Sequence, residues 1–201
     1  AARLKPVVVI KAGRHAEGSR AAVSHSGALI GADDVFHAAL RRAGAVRAYT
    51  IKQMFSAAEI LSSRSGQVGG DRLAIVTNGG GPGVMAADRA VELGVTLAAL
   101  GQQTLDALQQ LLPAHWSHAN PVDILGDAGP QVYEQAVRLC SNDPNVDGVL
   151  VMLTPQAMTR PLAAAEGVVA AAADSDKPVL TCWMGDAQVS AARALFARHK
   201  I

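Results

Sequence analysis

The regular alternation of strand-like and helix-like segments after residue 70 is the feature that most constrains the fold of this chain. Short runs rich in Val, Leu and Ile predict strands at 73–77, 95–98, 148–153 and 178–183. Apolar residues at helical spacing predict helices near 83–93, 102–111, 129–140, 160–173 and 187–197. Such alternation is typical of a parallel sheet with helices on its faces. We therefore predict a doubly wound α/β domain.

The first sixty or so residues carry a shorter version of the same pattern. The apolar run Pro6–Lys11 predicts a fully buried parallel strand, and a polar, Gly-containing loop is expected after it. Helical spacing follows at 33–42 and 51–61, and then a Ser- and Gly-rich stretch predicts a linker. The predicted organisation is a first domain that lacks its beginning, a linker, and a second domain truncated at its end: 1–62, 63–70 and 71–201.

The charge and hydropathy of the sequence indicate which partners and which cellular location to expect. A formal net charge of +1, without a block of Lys or Arg, disfavours nucleic acid or an anionic membrane as the main partner. Apolar stretches fall short of a membrane span. Cys140 and Cys182 each lie in an apolar pattern, which predicts buried free thiols. We therefore expect a cytoplasmic protein.

A glycine run follows the strand predicted at 73–77. The candidate phosphate-binding residues are Asn78, Gly79, Gly80, Gly81 and Gly83. Glycines allow a sharp turn and bring backbone N–H groups to an anion, while the next helix points its positive end at the same place. The run lacks the Gly-Lys-Ser/Thr of a P-loop, and Val84 stands where a dinucleotide fingerprint has its third glycine. A strand–turn–helix without a ligand is the alternative.

Polar residues follow other predicted strands, so the second domain is expected to present one polar rim. They lie at 120–123, 154–156 and 183–186. Asn120 and Asp123 are candidates to close this rim beside the glycines, and capping of the following helix is an equally good role for Asp123.

His25 is the candidate nucleophile. It stands between Ser24 and Ser26, followed by Gly27, in what we expect to be a loop just ahead of a helix. Imidazole attacks phosphorus at neutral pH, and small neighbours leave room for a phosphoryl group. A loop histidine hydrogen-bonded to the backbone is the alternative. The spacing of the histidines predicts no metal site, and neither serine lies in Gly-x-Ser-x-Gly.

Four segments in this order resemble the ADP-forming acyl-CoA synthetases, relatives of succinyl-CoA synthetase. They are Lys5–Arg14, Ser24–Leu29, Thr77–Gly83 and Asn120–Asp123. The resemblance covers essentially the whole chain and implies flavodoxin-like ligase domains. It implies the reaction of an acid, CoA and ATP to give acyl-CoA, ADP and phosphate. An acyl phosphate forms, CoA displaces the phosphate, and a histidine, here His25, carries the phosphoryl group to ADP.

The resemblance also assigns supporting residues and partners. Helix amino ends from two ligase domains are implied to face the phosphohistidine, and one of them is the helix after the glycine run. The residues placed around the site are Ser24, Ser26, Gly27, Asn120 and Asp123. The full-length protein is implied to use ATP/ADP, Mg²⁺, CoA and a small carboxylic acid. A CoA-binding domain and an ATP-grasp domain or subunit would complete it, in a homo- or hetero-oligomer.

Two other readings stay open on the sequence alone. Similar ligase-like regions occur fused to GNAT-type bacterial protein lysine acetyltransferases, where they act as acetyl-CoA-binding regulatory modules and often lack the histidine. Retention of His25 favours the catalytic reading. A binding or structural domain that has lost its chemistry is the third reading. Under all of them we expect the 201-residue piece by itself to be inactive, and we assign no cofactor to it.

Overall fold

The computed structural model describes residues 5–26, 31–62 and 69–201. The chain divides into two compact units, Ala1–Ser62 and Ser63–Ile201, which we call the first and second units. Gly27 and most of the predicted linker, residues 63–68, lie outside the described residues, as do the side chains of His25 and Ser26.

The first unit contains a two-stranded parallel sheet in its described part. Strand β1 (Val8–Ile10) pairs with β2 (Val46–Ala48), and Val9 lies opposite Arg47. The helices are α1 (Ala16–Ser26), α2 (Asp33–Ala43) and α3 (Ile51–Ser62). Helix α2 ends at Gly44, whose φ of 69° is the left-handed conformation that glycine adopts without strain.

Two expectations for the first unit were wrong. Strand β1 is not fully buried: Val8 and Val9 are half-buried, and Ile10 is 38% exposed. The segment predicted as a polar loop is largely helix α1, and His25 is its penultimate residue. Ala16, Ala21 and Ala22 favour a helix, and Glu17 in the first turn is favourable for the helix dipole.

The second unit has a parallel sheet whose described part contains five strands in the order β4-β3-β6-β7, with β5 also paired to β3. The strands are β3 (Arg72–Thr77), β4 (Thr96–Leu97), β5 (Val122–Asp123), β6 (Gly148–Leu153) and β7 (Val179–Trp183). The helices are α4 (Gly80–Glu92), α5 (Gln102–Leu111), α6 (Pro130–Asn142), α7 (Pro161–Ala173) and α8 (Ser190–His199), with a 3-10 turn at Ala187–Val189. The prediction of an α/β fold with parallel sheets is confirmed.

The core of the second unit surrounds its central strands. Consecutive residues of β3, Ala74 to Val76, have no exposed surface, so both faces of the strand are covered. At the far end of the core the ring of Trp183 packs edge-on against Phe196 at 4.7 Å. Its indole nitrogen donates to the carbonyl of Pro161 at 3.1 Å, which satisfies the polar atom that burial would otherwise penalise.

The two cysteines differ in exposure, so the expectation of two buried thiols was half wrong. Cys140 is buried in α6, and burial raises the pKa of its thiol to about 12. Cys182 is exposed on β7. It precedes the buried Trp183, and successive side chains of a strand point to opposite faces. In the described part of the chain, no helix is both long and apolar enough to span a membrane.

Candidate functional site

The glycine loop, which we define as Asn78–Gly83, connects β3 to α4. Gly79 occupies the N-cap position with φ −137° and ψ 111°, and no side chain caps the helix there. The N–H groups of Gly80 and Gly81 have no acceptor within the helix, because the first turn of an α-helix leaves such groups unsatisfied. Both residues are exposed. The positive end of α4 therefore presents backbone donors to the surroundings.

Gly83, a predicted phosphate-binding residue, packs the helix against the strand instead. Its N–H donates to the carbonyl of Gly79 at 3.1 Å, so it is already used in the helix. A Cβ at this position would lie 2.8 Å from Cγ2 of Thr77, which is fully buried. The glycine is needed for this close approach of α4 to β3 rather than for binding an anion.

Gly79 is likewise occupied by its neighbours. Its N–H donates to Oγ1 of Thr77 at 3.1 Å, and that hydroxyl donates back to the carbonyl of Gly79 at 3.0 Å. A Cβ on Gly79 would lie 2.8 Å from Oγ1 of Thr154. Gly79 forms a tight turn beside the ends of β3 and β6, and its N–H is not available to a ligand.

Asn78 was expected to supply a donor, but its side chain joins the ends of two strands. The amide nitrogen donates to the carbonyl of Thr154 at 2.9 Å, and the amide oxygen accepts from the N–H of Thr154 at 2.7 Å. Asn78 is 2% exposed. The side chain therefore extends the β3–β6 pairing by one step and fixes the base of the glycine loop.

These contacts reduce the predicted set of phosphate donors. Pro82 has no N–H, the side-chain amide of Asn78 binds Thr154, and the N–H groups of Gly79 and Gly83 are used as described. Gly80 and Gly81 remain as the residues whose N–H groups can meet an anion at the helix end. The other residues shape the loop that presents these two donors.

Asp123 lies beside these two donors. Its Oδ2 would be 2.9 Å from a Cβ placed on Gly80, and its Oδ1 accepts the N–H of Leu125 at 2.9 Å. The helix-capping alternative is wrong, because α6 begins at Pro130 and its N-cap is Gly129. The carboxylate of Asp123 lies beside the positive helix end and weakens the attraction of the loop for an anion.

Asn120 lies within the sheet and not at the rim where it was expected. Strands β4 and β5 pair with the same edge of β3, and the Asn120 side chain fills the gap between them. Its oxygen accepts the N–H of Ile75 at 2.9 Å, and its nitrogen donates to the carbonyls of Leu73 and Ala98 at 2.8 and 3.0 Å. Asn120 thus replaces the backbone of a missing strand segment.

The histidine segment can be described only in part. Ser24 lies in α1, and its hydroxyl donates to the carbonyl of Ala21 at 2.7 Å. This bond uses the hydroxyl hydrogen within its own helix, so Ser24 presents at most its oxygen as an acceptor. The backbone places His25 and Ser26 at the last two positions of α1. Their side chains, and Gly27, lie outside the described residues.

Thr154 and Gln156 are neighbours of the glycine loop that the sequence indicated only as part of the polar rim. Oγ1 of Thr154 is buried against the loop and has no hydrogen-bond partner among the described residues. Nε2 of Gln156 lies 3.4 Å from the carbonyl of Asn78, to which it donates. The strand end after 153 was the available signal, but the contact with Asn78 depends on the β3–β6 register, which the sequence does not state.

Comparisons with known proteins agree with this architecture. The family model of the succinyl-CoA ligase like flavodoxin domain matches residues 1–61, and that of the ligase-CoA domain matches residues 73–201. Two α/β units of this kind, the second with a glycine loop after its first strand, define a protein of the CoA-ligase class. The chain belongs to the ADP-forming acetyl-CoA synthetase family.

Individual relatives support this membership. Acetate–CoA ligase [ADP-forming] I of Archaeoglobus fulgidus is 43% identical over 94% of this chain, and 26% of that protein is covered. The alpha subunit of acetate–CoA ligase [ADP-forming] II of Pyrococcus furiosus is 37% identical over 98% of the chain, which covers 44% of the subunit. The chain thus spans less than half the length of these relatives.

A solved structure shares the fold. It is the dinucleotide forming acetyl-coenzyme A synthetase 1 of Ca. Korarchaeum cryptofilum, in complex with phosphate and ADP. It matches 98% of this chain with a TM-score of 0.88 and 32% sequence identity, and the match covers 43% of that chain.

Proposed function

We propose that this chain is part of an ADP-forming acetate–CoA ligase, which converts an acid, CoA and ATP to acyl-CoA, ADP and phosphate. The observation that carries the proposal is the 43% identity to such a ligase over 94% of the chain. The structure of the second unit supports it further, because the glycine loop presents the N–H groups of Gly80 and Gly81 at a helix end.

The proposed chemistry is phosphoryl transfer through His25. An imidazole nitrogen of His25 attacks the γ-phosphorus of ATP, the bond to the bridging oxygen breaks, and ADP leaves. A carboxylate oxygen of the acid then attacks phosphorus, the P–N bond breaks, and an acyl phosphate forms. The thiolate of CoA attacks the acyl carbon and releases phosphate. The position of His25 at the end of α1, in the motif Ser24–Leu29, supports this assignment.

The glycine loop would stabilise the phosphoryl group during this transfer. A phosphoryl group carries about 1.5 to 2 negative charges, and a helix amino end supplies about half a positive charge without a mobile side chain. Backbone donors suit a group in transit, because they stabilise charge without needing to rearrange. ATP, Mg²⁺ and CoA are proposed to bind in a CoA-binding domain and an ATP-grasp domain or subunit of the complete protein.

The test is an assay of the complete protein with ATP, Mg²⁺, CoA and acetate, in which ADP and acetyl-CoA are both measured. The account predicts equal formation of the two products, which His25→Gln abolishes. His115→Gln is the matched control, because His115 is an exposed histidine of the second unit and should leave the rate unchanged. Full activity of His25→Gln would contradict the proposal. A wild-type protein that binds acetyl-CoA without forming it would support the regulatory alternative.

A further inference from the structure

A cluster of three cations lies beside the sheet of the first unit, near the carboxyl end of β1. Lys11 follows β1 and Arg47 lies in β2, while Arg14 precedes α1. All three converge on the carboxylate of Asp33, at the start of α2: Arg47 at 2.6 Å, Lys11 at 3.5 Å and Arg14 at 3.9 Å. We call Lys11, Arg14, Arg47 and Asp33 the cation cluster.

The cations are partly withdrawn from water and lie over aromatic rings. The side chains of Arg47 and Lys11 are 5% and 11% exposed, whereas that of Arg14 is 36% exposed. The guanidinium groups of Arg14 and Arg47 each lie 4.7 Å from the ring centroid of Tyr49. Lys11 lies 5.5 Å from that of Phe36. These rings attract the cations but carry no compensating charge.

The charges within the cluster do not balance. Asp33 is the one carboxylate that pairs with the three cations among the described residues, so two positive charges are in excess. The hydrogen bond from Arg47 holds the pKa of Asp33 below its usual range, which keeps its single negative charge in place. Nε of Arg47 is buried and has no acceptor among the described residues. Lys11 and Arg47 also donate to the carbonyls of Gly31 and Asp33, at 3.0 and 3.3 Å, but these carbonyls carry no net charge. An anion would balance the excess charge and could accept the N–H of Nε of Arg47.

We propose that the cation cluster binds a phosphate dianion. Inorganic phosphate carries about two negative charges at neutral pH, which matches the excess of the cluster. Guanidinium groups donate to phosphate oxygens in a fixed fork, and an ammonium adds a point charge. Lys11 and Arg14 follow the carboxyl end of β1, and the carboxyl ends of parallel strands are where such folds bind ligands. The choice of phosphate over another dianion rests on the proposed function, in which phosphate is a product.

The test is calorimetric titration of inorganic phosphate into the complete protein, freed of nucleotide and CoA. Arg14→Gln is the first variant, because Arg14 is the most exposed cation of the cluster and makes the longest ion pair. Lys11→Gln is the second. Arg20→Gln is the control, since Arg20 is 73% exposed and pairs with Glu17 on α1. Circular dichroism establishes that each variant is folded.

We expect Arg14→Gln and Lys11→Gln each to weaken phosphate binding about tenfold or more, while Arg20→Gln binds as the wild type. Methyl phosphate, titrated in parallel, shows whether the site accepts a phosphate ester or the free ion. Wild-type affinity in folded Arg14→Gln and Lys11→Gln would overturn the inference, as would loss of all phosphate binding in Gly80→Glu. Phosphate binding by the cluster in a protein that never phosphorylates His25 would uphold the inference and refute the proposed function.

Discussion

The two units carry the same α/β pattern but are stabilised in different ways. In the second unit apolar side chains close around β3 and β6, and many of them have no exposed surface. In the described first unit α2 and α3 bury none of their residues, and Phe55 on α3 is 66% exposed. Charged and aromatic side chains hold its sheet edge instead. Strand and helix patterns thus predict the elements but not how those elements are held together.

The difference extends to the proposed chemistry. The second unit offers backbone donors on a loop that neighbouring side chains fix in position, as the bonds of Asn78 to Thr154 illustrate. The first unit offers charged side chains, which respond to pH, salt and substitution.

Removal of a core aromatic should separate the units most clearly. Trp183→Ala is expected to lower the free energy of unfolding of the second unit by about 3–5 kcal/mol, because it leaves a cavity beside Phe196. The matched change in the first unit, Phe55→Ala, should alter stability by less than about 0.5 kcal/mol. The free energies of unfolding of both variants are measured by urea unfolding of the 201-residue chain. Far-UV circular dichroism follows both units, and Trp116 fluorescence follows the second unit. Equal destabilisation by the two substitutions would show that the two units do not differ in how far apolar packing stabilises them.

A charge placed in the glycine loop should act mainly on activity, because Gly80 is exposed and a Cβ there would meet only Oδ2 of Asp123, at 2.9 Å. Gly80→Glu is expected to reduce acyl-CoA formation by the complete protein about a hundredfold or more, because a carboxylate would repel the phosphoryl group. Gly80→Gln has nearly the same size without the charge and should retain more activity. If the two variants are equally impaired, bulk and not charge is responsible, and the loop serves only as a tight turn.

Asn120 tests how far the second unit depends on one polar side chain. Asn120→Ala should cost about 1–3 kcal/mol of stability, because the N–H of Ile75 and the carbonyl of Leu73 lose their partner. Asn145→Ala is the control: its side chain makes one exposed hydrogen bond, to the carbonyl of Ala99, and its loss should cost less than about 0.5 kcal/mol. If Asn120→Ala does not change the free energy of unfolding, water must replace the hydrogen bonds that the side chain of Asn120 makes.

The smallest expected effect is the pH dependence from Asp147. Arg72 donates to both of its carboxylate oxygens, at 2.8 and 2.7 Å, and these bonds hold the pKa of Asp147 well below its usual range. The stability that the bonds between Arg72 and Asp147 contribute is therefore fully present above the unfolded pKa of about 3.9. It is lost as the pH falls toward the pKa of Asp147 in the folded state. Below about pH 4 the urea concentration at the unfolding midpoint, measured by Trp fluorescence, should decrease as the pH is lowered. It should decrease less in Asp147→Asn. An unchanged slope would assign the acid sensitivity to other carboxylates.

Most of the regular structure could be predicted from the sequence, because the strands of the second unit are dense apolar runs. The strand predicted at 148–153 is β6, and the helix predicted at 102–111 is α5. Strand β5 was missed, because it has two residues and is defined by its pairing with β3. Helix α1 was missed, because Gly18 and several polar residues obscure its helical pattern.

The candidate site was predicted less completely than the fold. The glycine run indicated the position of the loop, but the division of work within it depends on neighbours distant in sequence. Thr154 binds the side chain of Asn78, and Thr77 accepts the N–H of Gly79. The N–H of Gly83 donates to the carbonyl of Gly79, so in this loop the backbone donors of Gly80 and Gly81 remain. Such partners follow from strand register. Asn120 shows the same point, since its bonds to β3 have no local signature.

The proposed transfer of the phosphoryl group through His25 is tested by mapping the phosphorylated residue. The complete protein is incubated with labelled ATP and Mg²⁺, digested without exposure to acid, and the labelled peptide is sequenced. We expect acid-labile phosphate on His25, absent from His25→Gln and retained in His115→Gln. Label on another residue, or no label in an enzyme that is turning over, would contradict it.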